Sequence, residues 1–116
     1  MQATRTRTQI GPVQIGIIVL AVATALIHFS LSMQMGFDLM FTLNGLGYLG
    51  LVAALFLPIP LFARYRPLIR ILMILYTLVT IIAWVFLGAR NTIGYLDKAI
   101  EVALLALLLL DRGRDH

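Results

Sequence analysis

The chain has 116 residues, 61% of them hydrophobic and 12% charged, with a mean hydropathy of +0.99 and a formal net charge of +4. Soluble domains carry about a quarter charged residues, so too few polar side chains remain here to cover a water-soluble core, and the composition is that of a single all-α, polytopic membrane domain. Cysteine is absent, which excludes disulfides, thiolate metal sites, iron–sulfur clusters, covalent c-type haem and cysteine nucleophiles.

Four segments approach the ~20 apolar residues that cross a bilayer: 12–33, 39–60, 67–88 and 93–110, leaving short polar tails at 1–11 and 111–116. The connections are short, so neighbours run antiparallel and an up-down-up-down four-helix bundle is expected. Most of the basic residues lie at segment ends. Arg5, Arg7, Arg64, Arg66, Arg70, Arg112 and Arg114 collect on one side; Arg90 and Lys98 lie on the other. That bias predicts a multi-pass protein of the inner (cytoplasmic) membrane with both termini cytoplasmic. It also assigns the positive charge to lipid phosphates rather than to nucleic acid, with Arg64, Arg66 and Arg70 gripping anionic headgroups.

Pro12 suits the first turn of the first span, where a missing N–H costs nothing. Arg5 and Arg7, the apolar Ile15–Leu20 and Ala21-Val22-Ala23 also spell a secretory signal with a cleavage site. The apolar run continues through Leu31, however, which is the length of a span. Ala21, Thr24, His28 and Ser32 recur at three- and four-residue steps, a small and polar stripe that should face other helices.

Asn44 lies about five residues after the start of the second span, and Asn44, Gly47, Gly50 and Ala54 form its small face. Gly45-Leu46-Gly47-Tyr48-Leu49-Gly50 spells G-x-G-x-x-G, but a dinucleotide fingerprint needs a preceding strand and a later acid. Inside an apolar span Gly45, Gly47 and Gly50 read as a helix-packing surface. Pro58 and Pro60 close the segment. The third span begins at Pro67 and carries a Tyr76, Thr80, Trp84 stripe. The tyrosines and Trp84 also suit the membrane interfaces.

The fourth span holds Glu101 among Ala99, Ile100 and Val102 through Leu110. An ionised carboxylate in hydrocarbon needs a partner or a purpose. Counted from the outer side, His28 lies about 8 Å inside at ~1.5 Å per residue, and Asn44, Thr80, Trp84 and Glu101 fall at similar depth. One buried polar cluster is expected, with His28 and Glu101 in contact or sharing a water and Asn44 and Thr80 beside them. The pair either fixes helix register or handles protons or a ligand. Asp97 and Lys98 are expected at the interface, with Lys98 snorkelling outward.

His28 and His116 are the only histidines and lie on opposite sides, so one chain cannot give bis-histidine haem ligation. His28 could act as a single axial ligand to haem or to a chlorophyll magnesium. His28 with Glu101 is too small a set for zinc, no nucleophile turn accompanies Ser30 or Ser32, and neither metal, resident cofactor nor enzyme activity is expected.

Ala25-Leu26-Ile27-His28, Leu43-Asn44-Gly45-Leu46-Gly47-Tyr48-Leu49 and Gly94-Tyr95-Leu96-Asp97-Lys98-Ala99-Ile100-Glu101 together resemble small prokaryotic four-helix membrane proteins of uncharacterised function. The resemblance implies the four-span plan and brings no assigned activity with it. The expected role is that of an accessory or assembly subunit of a larger respiratory or photosynthetic membrane complex, contacting lipids and other subunits or a second copy of itself. The rivals are a small transporter or proton-linked channel using His28 and Glu101, and a haem- or chlorophyll-binding protein using His28.

Overall fold

A computed structural model describes residues 10–34, 36–88 and 91–111. Among them the chain is all-helical: α1 (Pro12–Gln34), α2 (Leu39–Phe56), the short α3 (Pro60–Arg64), α4 (Arg66–Leu87) and α5 (Thr92–Asp111). Three of these, α1, α2 and α4, are long and apolar enough to cross a membrane. α5 matches them in length, with 20 residues, but carries Asp97, Lys98, Glu101 and Asp111.

The helix ends follow from local chemistry. Pro12 opens α1, and the Gly11 N–H donates to Gln14 Oε1 at 2.7 Å, satisfying a donor the first turn leaves open. α1 closes with Phe37 N–H on the Ser32 carbonyl and Gly36 N–H on Met33, at 2.8 and 3.2 Å. This is a Schellman ending, and Gly36 supplies its left-handed φ of 74°. Asp38 then caps α2 by accepting from the Phe41 N–H at 3.0 Å. Ser32 Oγ ties the two helices across the turn, accepting from Asp38 N–H at 2.8 Å and lying 2.7 Å from Thr42 Oγ1. Asn91 caps α5 through the Gly94 N–H at 2.8 Å.

The second apolar segment ends earlier than the expected residue 60. Pro58 forces Leu57 into extended backbone, φ −68° and ψ 136°, so α2 stops at Phe56. Pro60 then starts α3 inside what the sequence suggests is a plain connection. At the other extreme the expected tail begins one residue late, because Asp111 is the buried last residue of α5.

α1 packs on α2 and α5, and α4 packs on the same two, which closes a ring of four long helices. Register pairs fix their directions. Thr24 meets Glu101 and Gln14 meets Asp111 across α1 and α5; Ser32 meets Thr42 across α1 and α2; Tyr76 meets Asn44 across α2 and α4. Along each seam one position rises as the other falls, since Ala25 meets Gly45 where Ser32 meets Thr42, and Tyr76 meets Gly47 where Thr80 meets Asn44, so the long helices alternate up and down. Ile17, Ala21, Ala25, Tyr48, Val52, Leu55, Met73, Leu104 and Leu108 fill the axis. Large apolar residues such as Val19, Leu43, Leu75, Val79 and Leu110 point outward, the inside-out arrangement of chains surrounded by lipid.

The inward faces agree with the sequence on α1 and differ on α2 and α4. Ala21, Thr24, His28 and Ser32 are all buried. On α2 the buried residues are Gly45, Tyr48, Val52 and Leu55, one position round from the expected Asn44, Gly47, Gly50 and Ala54. On α4 they are Arg70, Met73 and Thr77, not Tyr76, Thr80 and Trp84. On α2 small size therefore does not by itself mark the axis: Gly45 and the large Tyr48 take it, Asn44 and Gly47 turn sideways to α4, and Gly50 is exposed.

Candidate functional site

The axis holds one compact set of charged and polar side chains, built from α1, α2 and α5. Asp97 and Glu101 are four residues apart on α5 and so share a face, with Lys98 beside them. All three are buried. α1 contributes Thr24 and His28, again four apart, and α2 contributes Tyr48.

Lys98 Nζ lies between the two carboxylates, 2.6 Å from Glu101 Oε1 and 3.1 Å from Asp97 Oδ2. The Tyr48 hydroxyl donates to Glu101 Oε2 at 2.9 Å. Thr24 Oγ1 lies 2.5 Å from Asp97 Oδ1 and 3.2 Å from Glu101 Oε2; its single proton goes to the nearer oxygen. His28 Nδ1 is 2.7 Å from the Thr24 carbonyl. A carbonyl only accepts, so Nδ1 carries a proton and Nε2 is left facing Asp97 Oδ2 at 3.6 Å. Each of the four carboxylate oxygens thus has a partner. The cluster has one carboxylate more than it has lysines, and His28 Nε2 is turned toward the surplus.

Expected neighbours are distributed differently. Glu101 takes Lys98 and Tyr48 as its direct partners, while Thr24 bridges the acids on α5 to the His28 side of the cluster. Asp97 and Lys98, expected at the interface, sit inside it, because α5 begins at Thr92 and carries both a full turn into the helix before the axis is reached. Asn44 and Thr80 form a separate pair, Asn44 Nδ2 donating to Thr80 Oγ1 at 3.4 Å, and the Tyr76 hydroxyl donates to the Asn44 carbonyl at 2.8 Å. Tyr76 connects this layer to the cluster by stacking edge-on against Tyr48, with centroids 4.9 Å apart. Trp84 is outside both groups, edge-on to Tyr95 at 5.2 Å.

Of the three glycines, Gly45 faces Phe29 and the Ala25 carbonyl, and Gly47 lies under the Tyr76 hydroxyl. Gly50 meets nothing within 4 Å of where a Cβ would stand, so it is no packing surface within the chain. The arginines also divide. Arg64 is exposed and lies 5.5 Å over the Tyr65 ring. Arg66 Nε donates to the Leu55 carbonyl at 3.1 Å and so caps the end of α2. Arg70 is buried in the bundle, apart from the exposed Arg64. Arg5, Arg7, Arg90, Arg112, Arg114 and His116 lie outside the described residues.

A second buried polar layer sits at the other end of the axis, where Gln14 Nε2 donates to Asp111 Oδ1 and Arg70 is also buried. Ile17, Ala21, Val52, Leu104 and Leu108 separate it from the charge cluster. The cluster therefore has an apolar septum on one side and the polar Ser32–Thr42 turn on the other.

The arrangement is suited to holding a cation: oxygen donors surround an ammonium, and an imidazole nitrogen faces the same space. His28 Nε2, one Asp97 oxygen and one Glu101 oxygen all lie within 4.8 Å of one another. It does not suit a tetrapyrrole. His28 is 4% exposed, its Nε2 is turned to Asp97, and Phe41 and Tyr48 flank the ring at 6.0 and 6.1 Å, so a macrocycle would have to displace the cluster. No curated protein and no solved structure matches the chain. Residues 1–110 match the model of the family of unknown function DUF7475, and the protein belongs to that family.

Proposed function

We propose that the protein is a small cation transporter or channel of the cytoplasmic membrane, crossing it four times with both termini on the cytoplasmic side. The observation that carries this reading is the buried cluster of Asp97, Glu101, Lys98 and His28, in which two carboxylates already enclose one cationic group. Fixing helix register needs one acid and one base. A second carboxylate in a lipid-surrounded interior is expensive unless it has cations to hold.

The fourth crossing rests on α5. Its 20 residues give about 30 Å at ~1.5 Å per residue, enough for a hydrocarbon core. Its four charged residues are all buried against the other helices, while Tyr95, Leu96, Val102, Leu109 and Leu110 face outward. Lipid around the bundle would meet an apolar surface on α5 as on its neighbours. The membrane side of the termini rests on the arginine bias alone.

The test is purified protein in proteoliposomes with entrapped indicators for sodium, potassium, protons and divalent cations. At least one cation should cross under its own gradient, and Asp97→Asn and Glu101→Gln should abolish that flux without loss of helicity.

A second reading, an accessory subunit of a larger membrane complex, is favoured by the broad apolar outer face of α4, where Leu68, Ile71, Leu75, Val79 and Phe86 are exposed. Absence of flux for every cation, with the chain co-purifying with other membrane chains in mild detergent, would replace the transporter reading by this one.

A further inference from the structure

We infer that His28 Nε2, Asp97 and Glu101 form a binding site for a divalent first-row transition cation, with the Lys98 ammonium as the built-in competitor that occupies the same space. The inference rests on the reading of the cluster as a cation-handling site and names the class of cation it takes.

Three observations support it. The three donor atoms come from two helices and lie within 4.8 Å of one another, all buried. The His28–Asp97 separation of 3.6 Å is close to the ~3.4 Å edge of a tetrahedron with ~2.1 Å bonds. His28 is also oriented as a ligand. Its Nδ1–H is held by the Thr24 carbonyl at 2.7 Å, the backbone hydrogen bond by which metal-binding histidines present their other nitrogen. Nε2 of the buried ring is left facing the Asp97 carboxylate.

The outer contacts of the carboxylates fit the same role. Thr24 Oγ1 binds Asp97 Oδ1, and the Tyr48 hydroxyl binds Glu101 Oε2, leaving Asp97 Oδ2 and Glu101 Oε1 to turn toward Lys98. Those two oxygens hold the ammonium at 3.1 and 2.6 Å. One imidazole and two carboxylates suit zinc, manganese, iron(II) or cobalt(II) better than magnesium or calcium, which prefer oxygen alone. Three protein ligands leave a fourth position open, the arrangement of exchangeable rather than purely structural sites.

Lys98 gives the idea a sign that a merely structural cluster lacks. For a metal to enter, the ammonium must swing away, and the length of the lysine side chain, the most exposed of the cluster's charged groups, allows that. Removing the ammonium should therefore strengthen binding, whereas removing a ligand should weaken it.

The experiment is titration of the full chain in detergent micelles with Co2+, read by its visible d–d absorption and followed by displacement with Zn2+. Wild-type protein should take up one Co2+ per chain, and Lys98→Met should bind it about tenfold tighter and gain thermal stability on binding. His28→Ala and Asp97→Asn should each weaken binding about tenfold or more. Circular dichroism establishes that each variant is helical. Should His28→Ala fail to fold, Asp97→Asn and Lys98→Met still decide the matter.

Absence of d–d bands in both wild type and Lys98→Met overturns the inference, as does binding that Lys98→Met weakens or that the ligand variants leave intact. Failure is separable from that of the transport reading. Flux of a monovalent cation in the presence of a chelator, without Co2+ binding, sinks only the metal site. Co2+ binding without any flux sinks only transport.

Discussion

Lys98 Nζ stands 2.6 Å from Glu101 Oε1, one helical turn away on α5, and the Glu101 side chain is wholly enclosed. A buried pair broken on one side leaves the other charge uncompensated, which costs about 3–5 kcal/mol, whereas removing both charges is often nearly neutral. Glu101→Gln and Lys98→Met should each lower stability, toward the smaller end of that range because Asp97 shares the ammonium at 3.1 Å. The double variant Lys98→Met/Glu101→Gln should recover most of the loss. Equilibrium unfolding in mixed micelles measures this, and strictly additive losses would show that the two groups do not act as a pair.

Tyr48 anchors the opposite oxygen of the same carboxylate. It is fully buried at the bundle axis, and its hydroxyl donates to Glu101 Oε2 at 2.9 Å. Tyr48→Phe keeps the ring and its edge-on contact with Tyr76 while removing the donor. Hydrogen bonds to charged groups contribute about 1.5–3 kcal/mol, and Thr24 Oγ1, 3.2 Å from the same oxygen, can turn to supply a substitute. The expected loss is therefore about 1–2 kcal/mol in the same unfolding measurement. A larger loss than that of Glu101→Gln would mean that Tyr48 acts through packing instead.

The positions of His28 and Glu101 on the axis are legible in the sequence, because each is a costly residue in an apolar run and has few alternatives to burial. Their partners are harder to read. Asp97 and Lys98 lie near the start of an apolar segment, where hydropathy alone places charges at the interface. Only the four-residue spacing of Asp97 and Glu101 signals a shared face. Tyr48 is invisible for a different reason: tyrosine suits membrane interfaces, and nothing in its neighbourhood distinguishes an axial ring from an anchoring one. The α2 face misleads because glycine permits close approach without requiring it, so Gly47 and Gly50 look equivalent in sequence and differ in space.

That difference is measurable. Gly47 lies under the Tyr76 hydroxyl, and Tyr76 is held by the Asn44 carbonyl and by the Tyr48 ring. A methyl group there must push the hydroxyl off its acceptor, so Gly47→Ala should cost about 1–3 kcal/mol, the usual range for overpacking. Gly50 has open space where its Cβ would stand. Alanine is favoured over glycine in a helix by about 0.5–1 kcal/mol, so Gly50→Ala should be neutral or stabilising. If the two substitutions have equal effects on thermal stability, the packing of α2 on α4 is not as described.

The number of crossings can be settled by single-cysteine labelling, which the natural lack of cysteine makes clean. Phe37 in the α1–α2 turn and Asn91 before α5 are both exposed, as is Ile59 between α2 and α3. In a four-span arrangement Phe37→Cys and Asn91→Cys should react with a membrane-impermeant maleimide added outside the cell, and Ile59→Cys should react only after lysis. Gly113→Cys decides whether α5 crosses. Protection from external reagent places the C-terminal segment in the cytoplasm and makes α5 a span. Labelling from outside would leave Asp97, Lys98 and Glu101 on a helix that does not cross, and their burial would then reflect docking at the membrane surface. The inward direction of all four α5 charges, against the outward Val102, Leu109 and Leu110, favours protection, since a surface-lying helix has no reason to present its apolar side away from the other helices.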